Sequence, residues 1–316
     1  MKTIHSLFVV ALLGLVSCDS LVREVNPDLI PAATAKLVVH SYLSPQDTVL
    51  AVVVETPSAV IGQRDVNGGN RRYLGTATVN LSDGSRTVRL PFSVKDQLYR
   101  IAARELAIVA GRTYTLTVSA PNFPTTTAQC TVPAPVKPTE VRVDSVRRKQ
   151  GQGQGQGTSV QYLARLLWRD QPGAANYYAV DGSMFLDVTR LNFREPNPQL
   201  RRDTTITEQR RLSIDSGNSV LTDQNRDGQQ LISGTFRDFQ NYYEGSNASG
   251  KISNQRITMI LSAVDENCYR YRLAVEQQRD IDENPFAEPV LIPGNIRNGL
   301  GCFGAVNQSP LTVRVR

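Results

Sequence analysis

From residue 36 onward the chain reads as short runs in which apolar and polar residues alternate. Lys36 to Tyr42, KLVVHSY, is the first such run, and Val49 to Glu55, VLAVVVE, follows the turn-like Ser44-Pro45-Gln46-Asp47. After a long loop through Asn67-Gly68-Gly69-Asn70, Thr76 to Leu81 alternates again. Asp83-Gly84 then forms a hairpin signal into Arg86 to Leu90. Gly111 to Ser119 sets Tyr114, Leu116 and Val118 against threonines, and Thr125 to Val132 completes the series. A period of two places one face of each strand in a core and the other in water. Many short strands separated by turn residues predict an antiparallel sandwich over residues 35–133, of immunoglobulin-like type.

Pro133, Pro135 and Pro138 bracket a linker, because proline cannot join a central strand. Alternation resumes at Glu140 to Val146. The tract Gly151 to Gly157, GQGQGQG, then interrupts it and predicts a flexible hairpin loop at 150–158. Val160 to Trp168, a turn at Asp170-Gln171-Pro172-Gly173, and Asn176 to Val180 give strand, turn, strand. The order resembles fibronectin type III strands, with the sole tryptophan, Trp168, as core anchor. Further strands are expected at Gln230 to Phe236, Gln255 to Ala263 and Pro310 to Arg316. Tyr269 to Val275 alternates like a strand. However, Asp265 to Arg279 runs without Gly or Pro, and Asp265 is a good helix N-cap. Length decides for a helix that places Cys268, Tyr271 and Val275 on one face. The expected fold is mainly β: two antiparallel β-sandwich domains, 35–133 and 134–316. The second is a fibronectin- or immunoglobulin-like elaboration with one short helix near the C-terminus.

Residues 1–17 stand outside this pattern. Lys2 precedes an apolar run, residues 4–16, that is too short for a membrane span and fits a secretory leader. Leu15-Val16-Ser17-Cys18 resembles a bacterial lipobox, which predicts lipidation at Cys18 and a tether over 18–34. The expected location is a membrane surface, held by acyl chains. Asp19 and Glu24 follow the anchor but are separated by Arg23, which leaves the face of the membrane open. The net charge of +6 is spread over short clusters such as Arg147-Arg148-Lys149 and Arg210-Arg211. No nucleic-acid motif accompanies them, so a solvated basic surface is expected and no nucleic-acid partner.

Candidate chemistry is sparse. Of two histidines, His5 lies in the leader, and His40 sits within an apolar strand, where a structural role is expected. There is no Gly-x-Ser-x-Gly elbow and no phosphate-binding loop. An enzyme is therefore not expected, and neither is a cofactor. Carboxylate pairs form in space and stay open to sequence reading. Asp223, Asn225 and Asp227 followed by Gly228 match the front half of a calcium loop. Position 12 of that loop is Gly234 rather than Glu, and Arg226 lies inside it, so a polar turn is the expected reading. Asp280 to Asn284 has similar spacing but runs into Pro285. Beyond Cys18, three cysteines allow one pair. Cys268 with Cys302 is the expected disulfide and Cys130 the buried thiol, although sequence does not fix the connectivity.

One stretch combines turn formers with apolar residues: NPFAEPVLIPGNIRNGLGCFG, residues 284–304. Its prolines predict an extended path. Phe286, Ile292, Ile296 and Phe303 predict an irregular segment covering the second sandwich. Together with CYRYRLAVEQQ, WRDQPGAANYYAV and KLVVHSYLS, it resembles the signature of the Bacteroidota lipoprotein family "domain of unknown function 4249". The resemblance covers the whole mature chain. It implies an outer-membrane lipoprotein acting beside a TonB-dependent transporter, as a binding or accessory component. A structural or adhesive envelope protein is the alternative, with a glycan-active enzyme behind both. The resemblance supplies no catalytic residues.

Overall fold

The computed structural model describes residues 36–57, 72–149, 158–191, 199, 202–238, 242–244, 251–281, 288 and 290–315. Cys18 and its tether, the Gly151 to Gly157 tract, Phe286 and Asp282 to Asn284 lie outside the described residues. The fold is mainly β, with one large sheet, a second sheet of four strands, and one α-helix among the described residues.

The first half holds β1 (Leu37–Leu43), β2 (Val49–Thr56), β3 (Arg72–Tyr73), β4 (Thr78–Ser82), β5 (Thr87–Leu90), β6 (Phe92–Ser93), β7 (Leu98–Ala102), β8 (Thr113–Ser119) and β9 (Thr126–Thr131). The expected alternation is present: β2 and β8 bury every second residue. Strands β5-β4-β8-β9 form the smaller sheet, while β1, β2, β7 and β6 lie in the large one. Their inner faces share one core, in which Leu37, Leu50 and Val52 meet Val79, Leu81 and Leu116. Two buried tyrosines keep their hydroxyls satisfied there. Tyr99 donates to the Leu74 carbonyl and Tyr114 to that of Ala107, each at 2.7 Å.

The second half holds β10 (Pro138–Lys149), β11 (Thr158–Arg169), β12 (Tyr177–Leu191), β13 (Asp203–Ser216), β14 (Val220–Thr222), β15 (Gln230–Ile232), β16 (Thr235–Arg237), β17 (Tyr242–Glu244), β18 (Lys251–Val264), helix α1 (Glu266–Ile281) and β19 (Gly299–Arg314). The predicted run Gln230 to Phe236 is two short strands. β13, absent from the sequence reading, is a long polar strand. Only Leu212 along it is buried, so no alternation marks it. Trp168 is fully buried and meets Tyr178 edge-on at 5.3 Å, the core anchor role expected of it.

The two halves do not keep separate sheets. β19 belongs to both. Its first part pairs parallel with β1, from Leu37↔Gly299 to Leu43↔Ala305. Its second part pairs antiparallel with β18, from Val264↔Val306 to Arg256↔Arg314. One 15-stranded sheet therefore runs across both halves.

The same strand corrects the expectation for residues 284–304. Ile296, Phe303 and Ala305 enter the first core, not the second. Its described part, from residue 290 on, closes the first core. Asn295 donates to the Phe303 carbonyl at 2.7 Å and the Gln129 carbonyl at 3.1 Å, and its Oδ1 accepts from Phe303 N at 2.9 Å. One side chain thus links β9 of the small sheet to β19 of the large one. Arg297 adds a backbone bridge to Thr127. Gly301 adopts φ +102°, and a Cβ there would overlap the Val39 carbonyl. Only glycine permits that approach of two backbones.

Two signature residues should therefore behave differently on truncation. Phe303 is fully buried, whereas Leu300 is 47% exposed. Phe303→Ala is expected to cost about 3–5 kcal/mol in urea denaturation of the full chain, and Leu300→Ala under about 1 kcal/mol.

Candidate binding cleft and aspartate cluster

Helix α1 begins where β18 ends, and Asp265 supplies its cap, as expected. Oδ1 accepts from Cys268 N at 2.9 Å, and the Asp265 N–H donates to the Ala305 carbonyl at 3.0 Å. The helix is thereby fixed at its start to β19. Its inner face buries Cys268 and Ala274, and Cys268 packs with Ala179, Val220 and Val264. Tyr271 stands edge-on to His40 of β1 at 5.6 Å, so His40 lies in the seam under the helix.

The C-terminal half of α1 stands away from β12 and β13 and leaves a cleft of about 370 Å³. Leu212, Ile214, Phe236 and Leu273 line its apolar part. On one side Asp181 is held by Arg211 at 3.0 Å and by Arg272 at 3.7 Å. On the other, Ser219 donates to Glu276. Asn218, Gln277 and Arg279 also line it. The volume and the mix of an apolar lining with a few polar groups are those of a small-ligand or side-chain site. Among the described residues, Ser213 and Ser219 line it together with the carboxylates Asp181 and Glu276. Sequence reading missed the cleft because β13, which forms one wall, carries no hydrophobic period.

The Asp223 to Gly228 segment is a turn, as expected, with Asn225 at φ +63° and Gly228 at φ +68°. The structure adds a residue that spacing did not reveal. Asp170 meets Asp223 and Asp227, with carboxylate oxygens of all three within 4.8 Å of one another. Each carboxylate also serves the protein. Asp170 accepts from the Tyr178 hydroxyl at 2.5 Å and Gly228 N at 2.8 Å. Asp223 accepts from Asn176 N at 3.0 Å, and Asp227 from Gly173 N at 2.9 Å. Burial and the neighbouring Asp170 push the Tyr178 hydroxyl well above the usual phenol range. These three aspartates are the donor set that could hold a hard cation, and they also tie the WRDQPGAANYYAV turn to the 223–228 turn.

Of the cysteines, Cys130, Cys268 and Cys302 are all buried free thiols in the structure, so the expected Cys268–Cys302 bond is not formed in it. Cys302 Sγ points to the Asn267 carbonyl at 3.9 Å. No helix among the described residues is long and apolar enough to cross a membrane.

A sheet shared by two halves, a signature that closes the first core, and a capped helix over the seam now stand together. The chain belongs to the family described as domain of unknown function DUF4249, whose family model matches residues 22–311. No curated protein matches the chain.

The helix cap carries a pH signature. Burial raises the Asp265 carboxyl from its usual range to about 6, against the two backbone N–H contacts that favour its charge. A carboxyl whose folded pKa lies above its unfolded one binds more protons when folded, so stability falls as pH rises between about 4 and 6. Asp265→Asn keeps an acceptor for Cys268 N. It is expected to flatten that slope, read as the urea midpoint at pH 4.5 against pH 7.

Proposed function

We propose that this chain is a cell-envelope lipoprotein, anchored in the outer membrane through acylated Cys18, that serves a TonB-dependent transport system as a binding or accessory component. The cleft between α1 and β13 carries the binding part of this reading, because it offers apolar contact and charged groups of both signs. The lipobox-like Leu15 to Cys18 supports the anchor. The signature shared with the family supports the association with a transporter. The first half is taken as an immunoglobulin-like sandwich and the second as an elaborated fibronectin-like unit.

A second reading has its own observation. The sheet that runs through β19 joins the halves by backbone hydrogen bonds rather than by a linker alone. That favours a rigid spacer, as in a structural or adhesive envelope protein.

Tagged full-length protein, cross-linked in membranes of its own host and extracted in detergent, separates the two. The transporter reading expects an outer-membrane transporter among the captured proteins and release of a Cys18→Ala variant from the membrane fraction. Capture of envelope polymers or sister copies, with no transporter, would favour the spacer.

A further inference from the structure

We propose that the cleft between α1 and β13 holds a short peptide with free termini and an apolar side chain; the proposal deepens the binding role read above and rests on it. The charges of the cleft carry the argument. Asp181 is bracketed by Arg211 and Arg272, so its charge is met within the protein. Those of Glu276 and Arg279 are not. Ser219, at the entry to β14, donates to one Glu276 oxygen, and the other oxygen has no partner among the described residues. Arg279 lines the cleft and forms neither an ion pair nor a side-chain hydrogen bond among them. The two lie three residues apart on α1, about 5–6 Å between Cβ atoms, a spacing at which oppositely charged side chains attract each other. The bond to Ser219 holds Glu276 toward the sheet instead. One carboxylate and one guanidinium therefore face the cleft uncompensated.

The cleft also has an apolar surface. Leu212 and Phe236 are buried, while Ile214 is 37% exposed and Leu273 half-buried, so part of that surface is open to a ligand. A ligand that matches carries an ammonium, a carboxylate and an aliphatic or aromatic group. Its ammonium donates to the open oxygen of Glu276. Its carboxylate accepts from Arg279, whose planar guanidinium can take both carboxylate oxygens. Its apolar group covers Ile214 and Leu273. The separation of the two charges selects a peptide over a single amino acid. In a dipeptide the ammonium and carboxylate are borne by neighbouring Cα atoms about 3.8 Å apart, whereas in an amino acid they share one. The volume of about 370 Å³ lies within the range of small-ligand sites.

Isothermal titration calorimetry of the full-length chain in detergent micelles, with L-leucyl-L-leucine as probe, tests this. Binding is expected, weakened about tenfold or more by Glu276→Gln and by Arg279→Gln. Glu276→Gln keeps an acceptor for Ser219, and an unchanged urea midpoint checks that each variant folds. Two further ligands test the same contacts on unaltered protein. Glycyl-glycine has the termini without the side chains, and N-acetyl-leucinamide has the side chain without the charges; each should bind more weakly than the dipeptide. Absence of dipeptide binding would overturn the proposal, as would binding that both variants leave unchanged or that the blocked leucine matches. L-leucine binding as tightly as the dipeptide would overturn the assignment to a peptide. The measurement needs neither anchor nor transporter. Dipeptide binding with the expected losses, beside cross-linking that captures no transporter, would uphold the peptide site and overturn the transporter reading alone.

Discussion

The backbone pairing of β19 with β1 on one end and β18 on the other is the constraint on which the rest depends. Seven residues of β19 run beside β1 and nine beside β18. A parallel pair between strands so distant in sequence forms only after the chain between them has found its place, since loop closure has to be met before such contacts add stability. The first core is therefore incomplete until the C-terminal segment arrives with Ile296, Phe303 and Ala305. The signature residues serve this closure. Asn295 bonds to a strand of each sheet, and Gly301 lets two strands approach where a side chain would not fit.

Helix α1 depends on the same strand. Its N-cap is bonded to Ala305, and its buried face lies on Cys302, Gly304 and Val306. The cleft follows in turn, because one wall is the C-terminal half of this helix and the other is β13. Cleft, helix and first core are thus linked through one segment near the end of the chain.

Much of this was legible in sequence. Period-two alternation located β1, β2, β4, β8, β9, β11 and β18 within a few residues, and Asp265 marked the helix start. Trp168 was readable as an anchor because a lone tryptophan flanked by strand signals has few other places to go. What failed has physical causes. β13 is polar on both faces over most of its length, so the pattern that reveals a half-buried strand is missing. Asp170 joins Asp223 and Asp227 across 53 residues, a relation made by two turns meeting and not by spacing. The destination of Phe303 escapes the pattern for a similar reason. Hydrophobicity says that a residue is buried, but a long-range parallel pair decides in which core.

The most direct test of the shared strand is whether the two cores unfold together. Trp168 reports the second core by fluorescence, and alkylation of Cys130 reports the first. Followed in one guanidinium titration, the two probes should give coincident midpoints, because loss of β19 removes a strand from both halves at once. Two well-separated transitions, with Trp168 still buried after Cys130 has become reactive, would contradict a single sheet that holds the molecule together.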